Sequence, residues 1–274
     1  MPVVLITGCS SGFGESMAVG FARHGYQVVA TMRKPESAPQ SLEALAADKA
    51  ANVVIAPLDI TNAASRREAV NLAVQRFGRI DVLVNNAGIT ARGAFEDTPE
   101  ALWRAIFETN LFGPLELIRA VLPVMRKQGA GRIVNVTSVA AILKTPLLAA
   151  YAASKHAFDA ASAALDIETR GFGVRVACVM PGPFKTALPQ NSQDRQASAP
   201  YAAISEHFCK HFDAMEARAP EDLTPVVAAA LAAATDADPA IRYTAGTDAI
   251  AILPPILQSL APLQQLGLHL TGQS

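Results

Sequence analysis

Six short apolar runs organise the first two-thirds of the chain: Val3–Ile6, Gln27–Thr31, Val53–Pro57, Ile80–Asn85, Arg132–Thr137 and Val174–Met180. Each is strand-length and mostly continuous rather than alternating, the pattern of a strand buried on both faces. Helical spacing fills several of the gaps. A glycine-rich turn leads into a helix to about His24, Ala64–Phe77 stops at Gly78, and Pro99–Arg126 and Tyr151–Thr169 read as longer helices. Such alternation points to a parallel sheet with helices on both faces, since parallel neighbours need a crossover between them. The expected fold is α/β, a single-domain Rossmann-type doubly wound parallel sheet. Ligands of such sheets bind beyond the carboxyl ends of the strands, so the residues after each run carry the functional argument.

The alternation breaks between Pro181 and about Leu223, where the chain turns polar and then shows helical stretches around Ala202–Arg218. An excursion of that length reads as a substrate loop or lid, at about 183–222. Helix returns at Leu223–Ala234, Arg242–Thr247 reads as a last strand, and an apolar, proline-interrupted tail occupies about 250–274. Neither an internal repeat nor a second domain is visible, so one domain is expected across 1–274.

Bulk properties narrow the function. The 274 residues carry a net charge of −1, with 51% apolar and 17% charged residues. Disorder is excluded, and there is no basic footprint for nucleic acid. Cys9, Cys178 and Cys209 are scattered and odd in number, which fits a reducing cytoplasm better than a disulfide framework. The chain runs almost at once into Val-Val-Leu-Ile without a basic leader, and no apolar run reaches the ~20 residues of a spanning helix. A cytoplasmic protein without a membrane span is expected.

The segment Thr7-Gly8-Cys9-Ser10-Ser11-Gly12-Phe13-Gly14 follows the first run and opens the first helix. Glycines there permit a tight turn and close approach of a pyrophosphate, and the helix start supplies amide donors. Three more segments converge on the same edge. Asp59-Ile60 would meet an adenine, Asn85-Asn86-Ala87-Gly88 would pass a ribose, and Pro181-Gly182-Pro183-Phe184 offers a small, rigid rest for a nicotinamide amide. The end of the second run decides between cofactors. An NAD site places a carboxylate there, whereas this chain has Arg33 and Lys34 and no acid from Tyr26 to Pro35. With Ser10 adding a hydroxyl, the expected cofactor is NADP(H). Tyr151 and Lys155 lie four apart on a helix and share one face. An ammonium beside a phenol favours the phenolate and draws its proton affinity towards working pH.

These pieces resemble the short-chain dehydrogenase/reductases over nearly the whole chain. The matching elements are Thr-Gly-x-x-x-Gly-x-Gly from Thr7, Asn-Asn-Ala-Gly from Asn85, Asn110, Ser138, Tyr151-x-x-x-Lys155 and Pro181-Gly182. Val-Val-Leu-Ile-Thr-Gly-Cys-Ser-Ser-Gly, Ala-Thr-Met-Arg and Gly-Pro-Phe-Lys-Thr-Ala are similar to the branch of 17β-hydroxysteroid and retinol dehydrogenases. Phe13 stands where the glycine turn usually has an aliphatic residue, and the chain after Thr186 matches least. The resemblance implies a catalytic set of Asn110, Ser138, Tyr151 and Lys155. Tyr151 would exchange the proton of the substrate oxygen, and Lys155 would hold the nicotinamide ribose and depress the Tyr151 pKa. Ser138 would hydrogen-bond the substrate oxygen, and Asn110 would bend its helix around a water linking Lys155 to solvent. Thr137 and Ser154 are taken as structural. Cofactor contacts are expected from Gly8, Ser10, Ser11, Gly12, Phe13, Gly14, Arg33, Asp59, Ile60, Asn86, Ala87, Gly88, Tyr151, Lys155, Pro181, Gly182, Phe184 and Thr186.

The resulting expectation is an NADP(H)-dependent oxidoreductase interconverting an alcohol and its ketone or aldehyde. The alternative is a catalytically silent NADP(H)-sensing protein on the same fold. Phe184, Leu188, Tyr201, Phe208, Phe212 and the tail suggest a pocket for a lipophilic or aromatic small molecule. A homodimer or homotetramer through the helices at 99–126 and 151–169 follows from the resemblance. Two features are set aside. His207, Cys209 and His211 lack a metal geometry on a helix, so no metal is expected. The sequon Asn135-Val136-Thr137 falls in a buried-type strand.

Overall fold

All seven expected strands form, and each pairs in parallel with its neighbours. The computed structural model describes residues 1–48, 52–186 and 197–247, and then 249–251, 253, 256 and 258. The strands are β1 (Val3–Ile6), β2 (Gln27–Met32), β3 (Val53–Pro57), β4 (Val82–Asn85), β5 (Gly131–Val136), β6 (Val174–Pro181) and β7 (Arg242–Ala245), in the order β3-β2-β1-β4-β5-β6-β7. The chain reverses direction of winding between β1 and β4. That crevice, at the carboxyl ends of the strands, is where such sheets bind ligands.

Helices cover both faces because the strand residues are apolar on both. On one face α1 (Gly12–Arg23), α2 (Gln40–Ala47) and α8 (Thr224–Thr235) bury Met17, Phe21, Leu42 and Val226 against Val4, Ile6, Val28 and Val134. On the other, α3 (Ala63–Phe77), α5 (Gly113–Gln128) and α6 (Ala149–Thr169) bury Val70, Leu117, Val121 and Phe158 against Leu5, Val29, Leu83 and Ile133. Two helices stand apart from these layers, α4 (Glu100–Phe107) and α7 (Ala202–Arg218), and α7 buries none of its residues.

Three local features differ from the sequence expectation. The helix α2 forms where no element was expected, because only Leu42 of its eight residues is buried and its apolar pattern is faint. The strand expected from Ile80 begins at Val82. Gln128 explains the delay: its Oε1 accepts the Ile80 N–H at 3.0 Å and its Nε2 donates to the Ile80 carbonyl at 2.9 Å, so a side chain replaces the ladder. The helix expected over Pro99–Arg126 is interrupted by a π-helical turn at Glu108–Phe112. Asn110 sits in that turn, and its side chain bonds to the Ile89 backbone instead of facing solvent. Wide turns of this kind mark functional places in helices.

The buried face of α6 also carries polar residues beside Phe158. Lys155, Asp159, Ser162 and Asp166 are all buried there. Each finds a partner on a strand or its flank. Arg242 of β7 grips Asp159 through two bonds of 2.9 and 2.7 Å. Arg175 Nε and the Val176 N–H both donate to Asp166 Oδ1 at 2.9 Å, and Arg170 donates to Oδ2. Asn135 Nδ2 donates to Ser162 Oγ at 2.8 Å. Buried charges persist only when paired and hydrogen-bonded, so this seam sets how α6 lies on the sheet. Asn135 is fully buried in it, as the apolar setting of its sequon implied.

Candidate active site

The glycine turn is built by close packing of two loops. Gly8, at φ +72°, lies so near the loop after β4 that a Cβ would stand 2.9 Å from Ala87 Cα, and one at Gly14 would stand 2.1 Å from the Gly8 carbonyl oxygen. No side chain fits there, and an L-residue resists that φ. Asn86 staples the loops by donating from Nδ2 to the Thr7 and Gly8 carbonyls at 2.9 and 3.1 Å. Thr7 Oγ1 accepts the Asn86 and Ala87 amides at 2.9 and 3.0 Å. Thr7 is thus a positioning residue that sequence reasoning left as a mere member of the motif. Ser11 begins α1 without a side-chain cap, which leaves the first-turn amides facing outward, as an anion requires.

The other expected cofactor residues sit along the same edge. Arg33 and Lys34 are exposed after β2, and the Arg33 charge reaches Asp59. Asp59 Oδ1 accepts from the Thr61 N–H at 2.9 Å and hydroxyl at 2.7 Å. The Thr61 side chain is the main influence holding this carboxyl below its usual range, and Arg33 and Arg66 add to it. Ile60 is buried, and its carbonyl accepts from Arg66 Nη1 at 2.6 Å. Pro181 ends β6, and the Gly182 N–H donates to the Ala245 carbonyl at 2.9 Å. Thr186 lies against Gly12, so the chain after β6 folds back over the glycine turn.

The four expected catalytic residues come together from the turn just after β5, the π turn and α6. Burial is the larger influence on Tyr151 and raises the phenol above its ordinary pKa, while the neighbouring Ser138 hydroxyl lowers it. Lys155 Nζ donates to the Val136 carbonyl at 2.8 Å and lies 5.9 Å from the Tyr151 ring centroid. Burial pulls its pKa from 10.5 to about 8. A Cβ on Gly88 would stand 3.7 Å from that Nζ and 3.3 Å from Asn110 Oδ1, so the three residues line one small space. Asn110 Oδ1 accepts the Ile89 N–H at 2.9 Å, and its Nδ2 donates to the Ile89 carbonyl and to Ser154 Oγ, at 2.9 and 3.1 Å. Ser154 donates in turn to the Tyr151 carbonyl at 2.7 Å, a structural part as expected. In this geometry desolvation is the main influence on the phenol, and Ser138 is what opposes it.

Tyr151 and Ser138 open onto a cleft of about 500 Å³. Phe13, Phe184, Phe208 and Phe212 line it, as do His211, set aside above as a metal ligand, and Leu143, Leu148, Met215 and Thr90, which nothing in the sequence singled out. Thr137, set aside as structural, lines it too. Its roof is α7, tied to the loop before α4. Tyr201 donates to Glu96 at 2.7 Å, the Ser198 N–H to Asp97 at 2.9 Å, and the Arg92 guanidinium lies 5.1 Å from the Phe212 ring centroid. His207 and His211 stack on α7 with centroids 4.5 Å apart. Among the described residues no three His, Cys, Asp or Glu side chains form a metal-holding group, and no helix is long and apolar enough to cross a membrane. Leu188 and most of the apolar tail lie outside the described residues.

A sheet with this switch point, a glycine turn and a Tyr-Lys pair, its lysine buried, beneath an apolar cleft define a nucleotide-dependent oxidoreductase. The family model for short chain dehydrogenases matches residues 2–197, and the chain belongs to that family. It is 40% identical over 199 residues to the uncharacterized oxidoreductase YusZ of Bacillus subtilis, covering 72% of this chain and 70% of that one. It is 34% identical to the 3-ketodihydrosphingosine reductase of Bacteroides thetaiotaomicron, over 78% of this chain and 76% of the relative. A Streptomyces avermitilis short-chain dehydrogenase structure superimposes with a TM-score of 0.80 at 31% identity, covering 100% of this chain and 98% of its own. Two other neighbours were solved with cofactors. One, from Burkholderia phymatum, holds NAD (TM-score 0.80, 25% identity, 96% and 95% covered). A gluconate 5-dehydrogenase from Burkholderia cenocepacia holds NADP and tartrate (TM-score 0.75, 29% identity, 92% and 96% covered). The chain is an oxidoreductase acting on CH–OH and C=O groups with a nicotinamide nucleotide.

Proposed function

We propose that the protein is an NADP(H)-dependent oxidoreductase that interconverts a lipophilic or aromatic secondary alcohol and its ketone, or an aldehyde and alcohol. The observation that carries this reading is the meeting of Ser138 and Tyr151 in the lining of an apolar cleft, with the Lys155 ammonium buried behind them. The residues present suit the cofactor. The outward amides of α1, the side-chain-free surface at Gly8 and Gly14, and the small residues Ala87 and Gly88 would hold a dinucleotide along the strand ends. Arg33 and Lys34, with Ser10, would hold a 2′-phosphate, and Asp59 and Ile60 the adenine. The nicotinamide supplies the hydride exchanged with the carbonyl carbon. Ser138 and Tyr151 hold the substrate oxygen, and Tyr151 gives or takes its proton. Lys155 steadies the ribose and, once that contact partners its ammonium, favours the phenolate. Asn110, held by Ile89 and Ser154, keeps open the space through which Lys155 is reprotonated.

In the same reading the chain is one domain across 1–274, with residues 183–222 as the substrate lid and the tail at 250–274 covering the cleft or a subunit contact. The protein is cytoplasmic and a homodimer or homotetramer through α4, α5 and α6. Phe95 and Phe112, exposed by 72% and 50%, support that face. The apolar cleft and the relative that reduces a 3-ketodihydrosphingosine support a lipophilic ketone, and steroid and retinoid ketones and aldehydes belong in the assay. Tyr151→Phe should abolish NADPH oxidation by such a panel while NADPH still binds. Full activity in that variant would refute the mechanism.

A further inference from the structure

Phe13 occupies an unusual double position. It is the second residue of α1, inside the turn that packs against the loop after β4, yet its side chain lines the cleft onto which Tyr151 opens. There it meets Phe184 edge to face, with centroids 5.6 Å apart and planes at 84°, a favoured arrangement for two rings. Phe184 is only 7% exposed and has little room to retreat. Behind it lies Gly246, just past β7, where a Cβ would stand 3.0 Å from two of the ring carbons. A φ of +95° also keeps that position for glycine. The stack Gly246, Phe184, Phe13 therefore runs from the far edge of the sheet to the cofactor turn as one braced wall. The rest of the apolar lining, Leu143 and Leu148 on one loop and Phe208 and Met215 on α7, belongs to other elements.

The geometry points to Phe13 as a specificity-determining residue: with Phe184, braced by Gly246, it sets the width of the substrate cleft and so the largest ketone that reaches Tyr151. The inference rests on the proposed ketone–alcohol reading and deepens it. Shortening Phe13 widens the cleft on its rigid side. Adding a methyl at Gly246 drives the Phe184 ring towards Phe13 and narrows it. Opposite shifts from two residues on different elements are a signature that a general loss of stability does not give. A change in nicotinamide or phosphate binding acts equally on every ketone and cancels in a ratio between two of them.

The test uses the 274-residue chain, Phe13→Leu and Gly246→Ala, with acetophenone as the compact ketone and 4-phenylacetophenone as the bulky one. Calorimetric dissociation constants are measured with and without NADP+, alongside kcat/KM with NADPH. Contacts in apolar pockets discriminate by about tenfold per small group. Phe13→Leu should raise the bulky-to-compact preference about tenfold, and Gly246→Ala should lower it by a similar factor. If Gly246→Ala does not fold, the Phe13→Leu ratio decides alone. Ratios that stay within about twofold of the parent, or a parent that binds neither ketone, overturn the inference. Binding with the expected ratios but no turnover refutes the proposed reaction and leaves the cleft assignment standing.

Discussion

Replacing Lys155 with Met should make the cofactor-free protein more stable at neutral pH while removing its activity. The Lys155 side chain is 5% exposed, and its ammonium titrates at about 8 instead of 10.5. At about 1.4 kcal/mol per pH unit, that difference amounts to roughly 3 kcal/mol. Below pH 8 both folded and unfolded chains carry the proton, and the folded chain bears the full disadvantage of a buried charge. Between about 8 and 10.5 the unfolded chain binds more protons than the folded one, so stability rises with pH and the disadvantage fades. Cys178, pushed up to about 12 by burial, stays neutral through this window. Met keeps the apolar stem but leaves the Val136 carbonyl without its 2.8 Å donor, a loss of about 1 kcal/mol. The net gain is about 2 kcal/mol at pH 7, or roughly 4–8 °C in melting temperature, and well under about 1 kcal/mol at pH 9.5. Urea and thermal unfolding followed by circular dichroism at the two pH values measure it. A variant less stable than the parent at pH 7, or an advantage independent of pH, would refute the reasoning.

Arg33→Ala should weaken NADPH binding by about tenfold or more, as loss of a charge-assisted contact implies, and leave NADH nearly unchanged; equal effects in fluorescence titrations would exclude the 2′-phosphate role. Arg242→Met leaves the 5%-exposed Asp159 carboxylate buried without its fork and should cost about 3–5 kcal/mol in urea unfolding. The double variant with Asp159→Leu should recover most of that loss, and a double variant as unstable as the single would show that the pair does not act as a unit.

The strands were legible because a parallel sheet buried on both faces demands apolar runs, and those runs stand out whatever surrounds them. The glycine turn was legible for a similar reason: Gly8 and Gly14 answer a steric requirement that no other residue meets. Less visible were elements whose reason is a distant partner. Gln128 caps the strand that begins near Ile80, and α2 holds its place through one buried leucine. Asn110 was identifiable only by family resemblance, and Ser154 was set aside as structural, since the bonds of Asn110 to Ile89 and Ser154 join segments far apart in the chain.

By itself the sequence determined the class of fold, the edge where such sheets bind ligands and the Tyr151–Lys155 pair on one helix face, because strand patterning, glycine sterics and side-chain spacing are local properties. Only the tertiary structure decided how those residues behave. It buried Lys155 deeply enough to bring its pKa to about 8, made desolvation the main influence on Tyr151, and paired the acids of α6 with arginines from β6 and β7. It also carried Phe13 from the cofactor turn into the wall of the cleft. Burial and pairing are sums over neighbours brought from many parts of the chain, and no local window contains them.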